Sequence, residues 1–243
     1  MTHQVICMWS GPRNLSTAMM RSFGNRADTY VWDEPFFAPW LAATGKAHPG
    51  REETLARHEI NPETVAAQCL EAPPGGETIY FQKQMPHHML PAFRLTWTRS
   101  CQHFFLIRRP ERVIASYVKA RSEFDFDDIG FGPLVRFYDL LKTYGRAIPI
   151  LDCDDILADP RSMLSGLCAA LNISFDDNML SWPAGSRDTD GAWAPWWYKS
   201  VESSTGFSPP PENLPDLPEM YQAILKKCQP LYEGLYEKRL RPV

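Results

Sequence analysis

Val5-Ile6-Cys7-Met8-Trp9-Ser10-Gly11-Pro12-Arg13-Asn14-Leu15-Ser16-Thr17 is the stretch that decides the fold of this 243-residue chain. Its first five residues are apolar and β-favouring, and Ser10-Gly11-Pro12 follows at once, so they read as a buried strand running into a tight turn. Beyond the turn, apolar residues at 15, 18, 19 and 23 fall at helical spacing. A strand turning directly into a helix presents free helix N–H groups, whose partial positive charge stabilises an anion. Arg13 adds a fixed cation, and Ser16 and Thr17 add hydroxyl donors. The stretch lacks G-x-x-x-x-G-K-[ST], and with it the hydroxyl that usually holds magnesium in nucleotide triphosphatases. Taken alone, it is equally an ordinary strand–turn–helix with a polar cap.

Working outward, Tyr30–Trp32, Thr78–Phe81, His103–Ile107 and Ile148–Leu151 read as further short strands. Helices are expected over Pro62–Leu70, from Pro110, over Leu134–Tyr144, near 160–171 and over 216–238, the last bent or split at Pro230. Alternating strands and helices predict a single α/β domain over 1–243, a mostly parallel sheet with helices on both faces. Residues 45–61 are polar and read as an exposed excursion. Residues 183–215 carry Pro, Gly, Ser, Asp and large aromatics without periodicity, and read as a long lid-like loop. Its Trp193, Trp196, Trp197 and Tyr198 can stack on a base, wall a pocket or pack on the core.

A second motif stands at Phe104-Phe105-Leu106-Ile107-Arg108-Arg109-Pro110-Glu111-Arg112-Val113-Ile114-Ala115-Ser116-Tyr117, where an arginine ends an apolar strand and a serine lies two turns into the next helix. Carboxyl ends of parallel strands line the ligand crevice, so Arg108 is aimed where the first loop points. Together the two motifs resemble the cofactor loops of the sulfotransferase family. Pro12-Arg13-Asn14-Leu15-Ser16-Thr17 matches that family's P-[KR]-[SG]-x-[ST]-T-like loop, and Arg108, Pro110 and Ser116 match its second motif. Leu15 stands where many members have Gly. Ile150–Pro160 and, more loosely, Arg187-Asp188-Thr189-Asp190-Gly191 extend the likeness.

The resemblance implies 3′-phosphoadenosine-5′-phosphosulfate as co-substrate. It places Arg13, Asn14, Ser16 and Thr17 on the 5′ side, Arg108 and Ser116 on the 3′-phosphate, and Arg187 beside them. Arg13 would stabilise charge on the leaving phosphate, and Lys83, in Phe81-Gln82-Lys83-Gln84, would assist from the other side. For the base, Glu34 in Trp32-Asp33-Glu34-Pro35 resembles the E-P acid of several bacterial and protein-modifying sulfotransferases. Its apolar neighbours Trp32, Phe36 and Phe37 can raise its pKa. His87 and His88 are the alternative bases.

Bulk composition is compatible with this. Hydrophobic residues make up 44% and charged residues 22%, ordinary globular usage. A net charge of −4 argues against a broad nucleic-acid or membrane-binding surface, while leaving room for a local basic pocket. No window approaches the roughly 20 apolar residues of a membrane span. Six cysteines stand without C-x-x-C or zinc-ligand spacing, and the N-terminus does not read as a signal peptide, so a cytoplasmic protein without a metal is expected. Three functions follow: a sulfotransferase acting on a small-molecule hydroxyl or amine, a small-molecule or nucleotide kinase on a related scaffold, and a non-catalytic binder of adenosine phosphates. Oligomeric state cannot be read from the sequence.

Overall fold

A computed structural model describes residues 3–119, 121, 124–210 and 212–242; Pro211, inside the 183–215 stretch, lies outside them. Five strands, β1 (Gln4–Ser10), β2 (Thr29–Asp33), β3 (Ile79–Gln84), β4 (Gln102–Ile107) and β5 (Ile150–Asp152), form one sheet in the order β2-β3-β1-β4-β5. Every pairing is parallel. The helices are α1 (Ser16–Gly24), α2 (Phe37–Thr44), α3 (Arg51–Arg57), α4 (Pro62–Gln68), α5 (Pro110–Val118) and α6 (Phe126–Ile129), then α7 (Phe131–Lys142), α8 (Cys153–Ala158), α9 (Pro160–Ala170), α10 (Ala194–Trp197), α11 (Lys199–Glu202) and α12 (Gln222–Tyr236).

The period of two along each strand divides the core into two layers. Val5, Cys7 and Trp9 of β1 pack with Phe105 and Ile107 of β4 against Val65 of α4, Val113 and Ile114 of α5, Leu134 and Phe137 of α7, and Tyr232 of α12. Ile6 and Met8 pack with Phe81 and Phe104 on the opposite face against Met19, Met20 and Phe23 of α1, Phe37 and Leu41 of α2, and Met163 to Leu167 of α9. Each fully buried apolar side chain contributes about 1.5–3 kcal/mol, so both layers favour this sheet over any register shifted by one residue. Proline opens α4, α5 and α9, where its missing N–H has no partner to lose, and Asn61 and Asp159 cap α4 and α9 through their side chains.

Strand order positions the site. The chain leaves β1 into α1 on one face and leaves β4 into α5 on the other, although β1 and β4 are neighbours. Adjacent strands whose helices diverge to opposite faces open a crevice at their carboxyl ends. Both sequence motifs end there.

The structure departs from expectation in four places. Phe37–Thr44 is a helix, where no element was read from the sequence. The 45–61 excursion contains α3 and buries Thr54. Residues 183–215 contain α10, α11 and an antiparallel bridge between Ser181 and Gly206. Finally, α12 runs unsplit through Pro230, which is exposed. No described helix is long and apolar enough to cross a membrane.

Candidate active site

The loop after β1 is held open by backbone conformation. Arg13 and Leu15 adopt φ of 63° and 62°, the left-handed region, so the chain reverses sharply before α1. The first turn of α1 has neither a side-chain cap nor an acidic residue. Its orphan N–H groups are therefore available to an anion. Asn14 fixes the loop to β4, its Nδ2 donating to the Leu106 carbonyl at 3.2 Å, while its buried Oδ1 has no hydrogen-bond partner.

The two motifs meet directly. Arg13 Nε donates to Ser116 Oγ at 2.9 Å, and Arg108 Nη1 donates to the Arg13 carbonyl at 2.9 Å. Among the described residues neither arginine pairs with a carboxylate, whereas Arg109 and Arg112 both reach Asp154. Burial, and then the neighbouring Arg108 charge, lower the Arg13 pKa, the signature of a cation left without a counter-ion.

At the ends of β2 and β3 lies a buried ionic cluster. Asp33 and Lys83 are register partners, so the sheet itself brings them together. Lys83 Nζ donates to Asp33 Oδ1 at 2.8 Å, to the hydroxyl of Tyr198 at 2.8 Å, and to Glu34 Oε1. All three ammonium protons are thereby engaged within the protein. The Tyr198 hydroxyl donates to Asp33 Oδ2 at 2.6 Å, and the Gly191 N–H donates to the same oxygen at 3.1 Å. Glu34 holds φ of 41°, and its N–H donates to the Lys83 carbonyl at 2.9 Å. Burial raises the Glu34 pKa; the Lys83 charge opposes this and the Asp33 charge reinforces it.

Both candidate regions open into one cavity of about 1050 Å³. Arg13, Asn14, Ser16, Thr17, Arg108 and Ser116 line one part of it, with Glu34, Lys83, His87 and His88 lining another. Burial holds both histidines neutral, His87 lowered to about 4 and His88 well below its ordinary value. Arg187 does not join them. Its guanidinium is turned onto the carbonyls of Pro183, Gly185 and Ser186 in its own loop. A neighbouring recess of about 390 Å³ shares Arg13, Ser116, Arg121 and Trp197 with the cavity and adds Lys119, Lys199 and Trp196. Sequence reasoning named Phe37 only as an apolar neighbour of Glu34, missed Asp33 and Trp40, and left Lys46 and His48 unassigned, although Phe37, Trp40, Lys46 and His48 line the cavity. One signal was available: Gln82-Lys83-Gln84 puts three polar residues in a row within a strand, and all three are buried.

A parallel sheet with an uncapped helix N-terminus after β1 and an arginine–serine pair after β4 defines an α/β scaffold with a cationic crevice at its strand ends. The chain belongs to the sulfotransferase domain family, whose sequence model matches residues 4–239. Among curated proteins it is similar to branched-chain-amino-acid aminotransferase-like proteins 1 and 2 of Arabidopsis thaliana, at 39% and 38% identity over 232 residues, 96% of this chain. The chain spans 41% of the length of these relatives, so their name describes much longer proteins. Among solved structures, a sulfotransferase of Alicyclobacillus acidocaldarius matches with TM-score 0.56 at 13% identity, covering 100% of this chain and 98% of that one. A sulfotransferase domain of the curacin biosynthetic pathway matches with TM-score 0.55 at 16% identity, covering 99% of both. Both likenesses are ones of fold.

Proposed function

We propose that the protein is a sulfotransferase moving the sulfuryl group of 3′-phosphoadenosine-5′-phosphosulfate to a hydroxyl or amine of a small-molecule acceptor. The observation that carries this reading is the direct contact of the two motifs, with Arg13 and Arg108 side by side and, among the described residues, no carboxylate on either. Two such cations beside an uncapped helix N-terminus form a receptor for a polyanion. The residues present therefore fit the donor: α1, Arg13, Ser16 and Thr17 for its 5′ side, Arg108 and Ser116 for its 3′-phosphate. Lys119, Arg121 and Lys199 supply the positive charge that Arg187 does not. The donor's contribution is an activated sulfuryl group on a good leaving phosphate.

Glu34 is the group placed to take the acceptor's proton. Its Oε1 is held by Lys83, and its Oε2 carries no hydrogen bond among the described residues, lying 3.9 Å from His88 Nδ1. Arg13 is placed to stabilise charge on the departing phosphate. Six buried, unpaired cysteines fit a reducing, cytoplasmic setting.

Calorimetric titration with 3′-phosphoadenosine-5′-phosphate and with ATP–magnesium tests the reading. The bisphosphate is expected to bind well and ATP–magnesium poorly. Arg108→Ala should weaken the bisphosphate by about tenfold or more, the loss of a charge-assisted hydrogen bond. Glu34→Ala should keep binding and cost turnover on the order of 10²–10⁴-fold. Preference for ATP–magnesium, or indifference to the Arg108 change, sinks the proposal in favour of the kinase scaffold.

A further inference from the structure

We propose that Asp33, Lys83 and Tyr198 are positioning residues that orient Glu34 and set its charge, with Tyr198 delivering this control from the segment that also walls the donor side of the cavity. The inference deepens the role given to Glu34 above, and its first support is a count of donors and acceptors. Lys83 Nζ has three protons and three protein acceptors. It has none left for a substrate oxygen, so it acts through Glu34 rather than on the reacting atoms.

The carboxylates are treated unequally. Asp33 accepts from Lys83 on one oxygen and from Tyr198 and Gly191 on the other, and its side chain is 1% exposed. Among the described residues Glu34 accepts from Lys83 alone and its side chain is 11% exposed, so of the two carboxylates it is the one that lines the cavity. Asp33 has both oxygens engaged by donors, whereas Glu34 has one oxygen free to meet a proton. Burial first, reinforced by the Asp33 charge, makes Glu34 more basic, while Lys83 opposes this and fixes its direction. Titratable and charged groups facing Glu34 are Asp33 on β2, Lys83 on β3, Tyr198 at the junction of α10 and α11, and His88 with His87 behind it on the 86–88 turn.

Tyr198 completes the arrangement from outside the sheet. Its hydroxyl accepts from Lys83 and from Trp193 Nε1, at 3.2 Å, and donates to Asp33. The segment carrying it is anchored at Asp190 by Arg21, through two hydrogen bonds of 2.5 and 2.7 Å, and at Gly191 by Asp33. The same segment continues through Trp197, Ser200, Val201 and Ser204, which line the cavity. Glu34 and the segment are thus joined by a short chain of buried hydrogen bonds.

The test reads Glu34 itself and needs no acceptor. Protein labelled with [¹³C]carboxyl-glutamate is titrated by NMR, Glu34 being assigned from the resonance lost in Glu34→Gln. Tyr198→Phe takes a donor from Asp33 and an acceptor from Lys83, changes the charge balance beside Glu34, and should move its titration by about half a pH unit. Asp33→Asn removes the like charge and frees Lys83 for Glu34, and should move it downward by about one unit. A purely structural role would lower the melting temperature and leave both titrations in place. An upward shift in Asp33→Asn, or an unmoved Glu34 in Tyr198→Phe, overturns the proposal. Should the Asp33 variant not fold, the Tyr198 variant decides alone. Failure of bisphosphate binding would instead strike the sulfotransferase reading, without touching this titration.

Discussion

Leu15 holds φ of 62°, and Arg13, two residues before it, holds 63°. The left-handed region costs an L-residue with a Cβ roughly 1–2 kcal/mol, and glycine enters it freely. The loop therefore keeps a glycine-like path although leucine stands where many similar loops have Gly. Leu15 is only partly buried against the α1 side of the core. In Leu15→Gly the relief of left-handed strain is offset by lost apolar contact and by the greater freedom of glycine in the unfolded chain. Stability should change by less than about 1 kcal/mol in urea denaturation, and bisphosphate affinity should stay within about threefold. A tenfold loss of affinity would assign the leucine side chain itself a place in the site. At this scale the sequence was most legible where chemistry is local: Arg13, Ser16, Thr17, Arg108, Ser116 and Glu34 all reach one cavity. Asp33 was passed over because its partner Lys83 lies fifty residues away, and only the pairing of β2 with β3 brings them together. Arg187 shows the converse, a local likeness whose guanidinium is satisfied by its own loop.

Elements with a strong period were readable, and those with mixed signals were not. β1 and α1 announce themselves by an apolar run followed by helical spacing. α2 does not, because Pro35 and Pro39 flank its first turn; Pro39 is tolerated there since first-turn N–H groups have no intrahelical acceptor. The aromatic segment had no period to read, as it is fastened by tertiary bonds rather than by its own helices. Its main fastening is the pair Arg21–Asp190, with side chains 2% and 5% exposed. Removing one partner of a buried ion pair leaves an uncompensated charge, at about 3–5 kcal/mol, while replacing both with apolar residues is close to neutral. Arg21→Met should therefore lower unfolding stability by about that amount, and Arg21→Met with Asp190→Leu should recover most of it. Equal losses in the single and double variants would show that the segment depends on Asp190 for its contact with the Arg187 N–H, at 2.8 Å, rather than for its charge.

At the scale of the whole molecule, the two-layered core confines several titratable groups, and their balance sets the response to acid. His87 and His103 are lowered by burial to about 4, and burial also lowers His88. From the ordinary histidine value of 6.5 down to about 4, the unfolded chain binds protons at these positions that the folded chain refuses, so stability falls as pH is lowered. Asp152 acts in the opposite sense: burial raises it from 3.8 to about 6, so the folded carboxyl keeps a proton that the unfolded one releases, and acidification across that window adds stability. Glu34, raised by burial, works with Asp152. His48 and His58, also lowered by burial, join these three histidines in outweighing the two carboxyls, and Asp28, lowered by its hydrogen bond with Arg26, adds a loss only below its ordinary value of 3.8. The urea midpoint should thus decline from pH 6.5 to pH 4 and stay nearly level from 6.5 to 8; a midpoint rising on acidification would contradict the burial of these imidazoles. His103 lets one share be isolated. Its Nδ1 accepts from Trp9 Nε1 at 3.0 Å, which leaves Nε2 to donate to the Thr98 carbonyl at 2.8 Å. His103→Gln offers an acceptor and a donor in one side chain but cannot take a proton, so the acid slope should become shallower by about one bound proton. An unchanged slope with a uniformly lower midpoint would mean that His103 contributes packing alone.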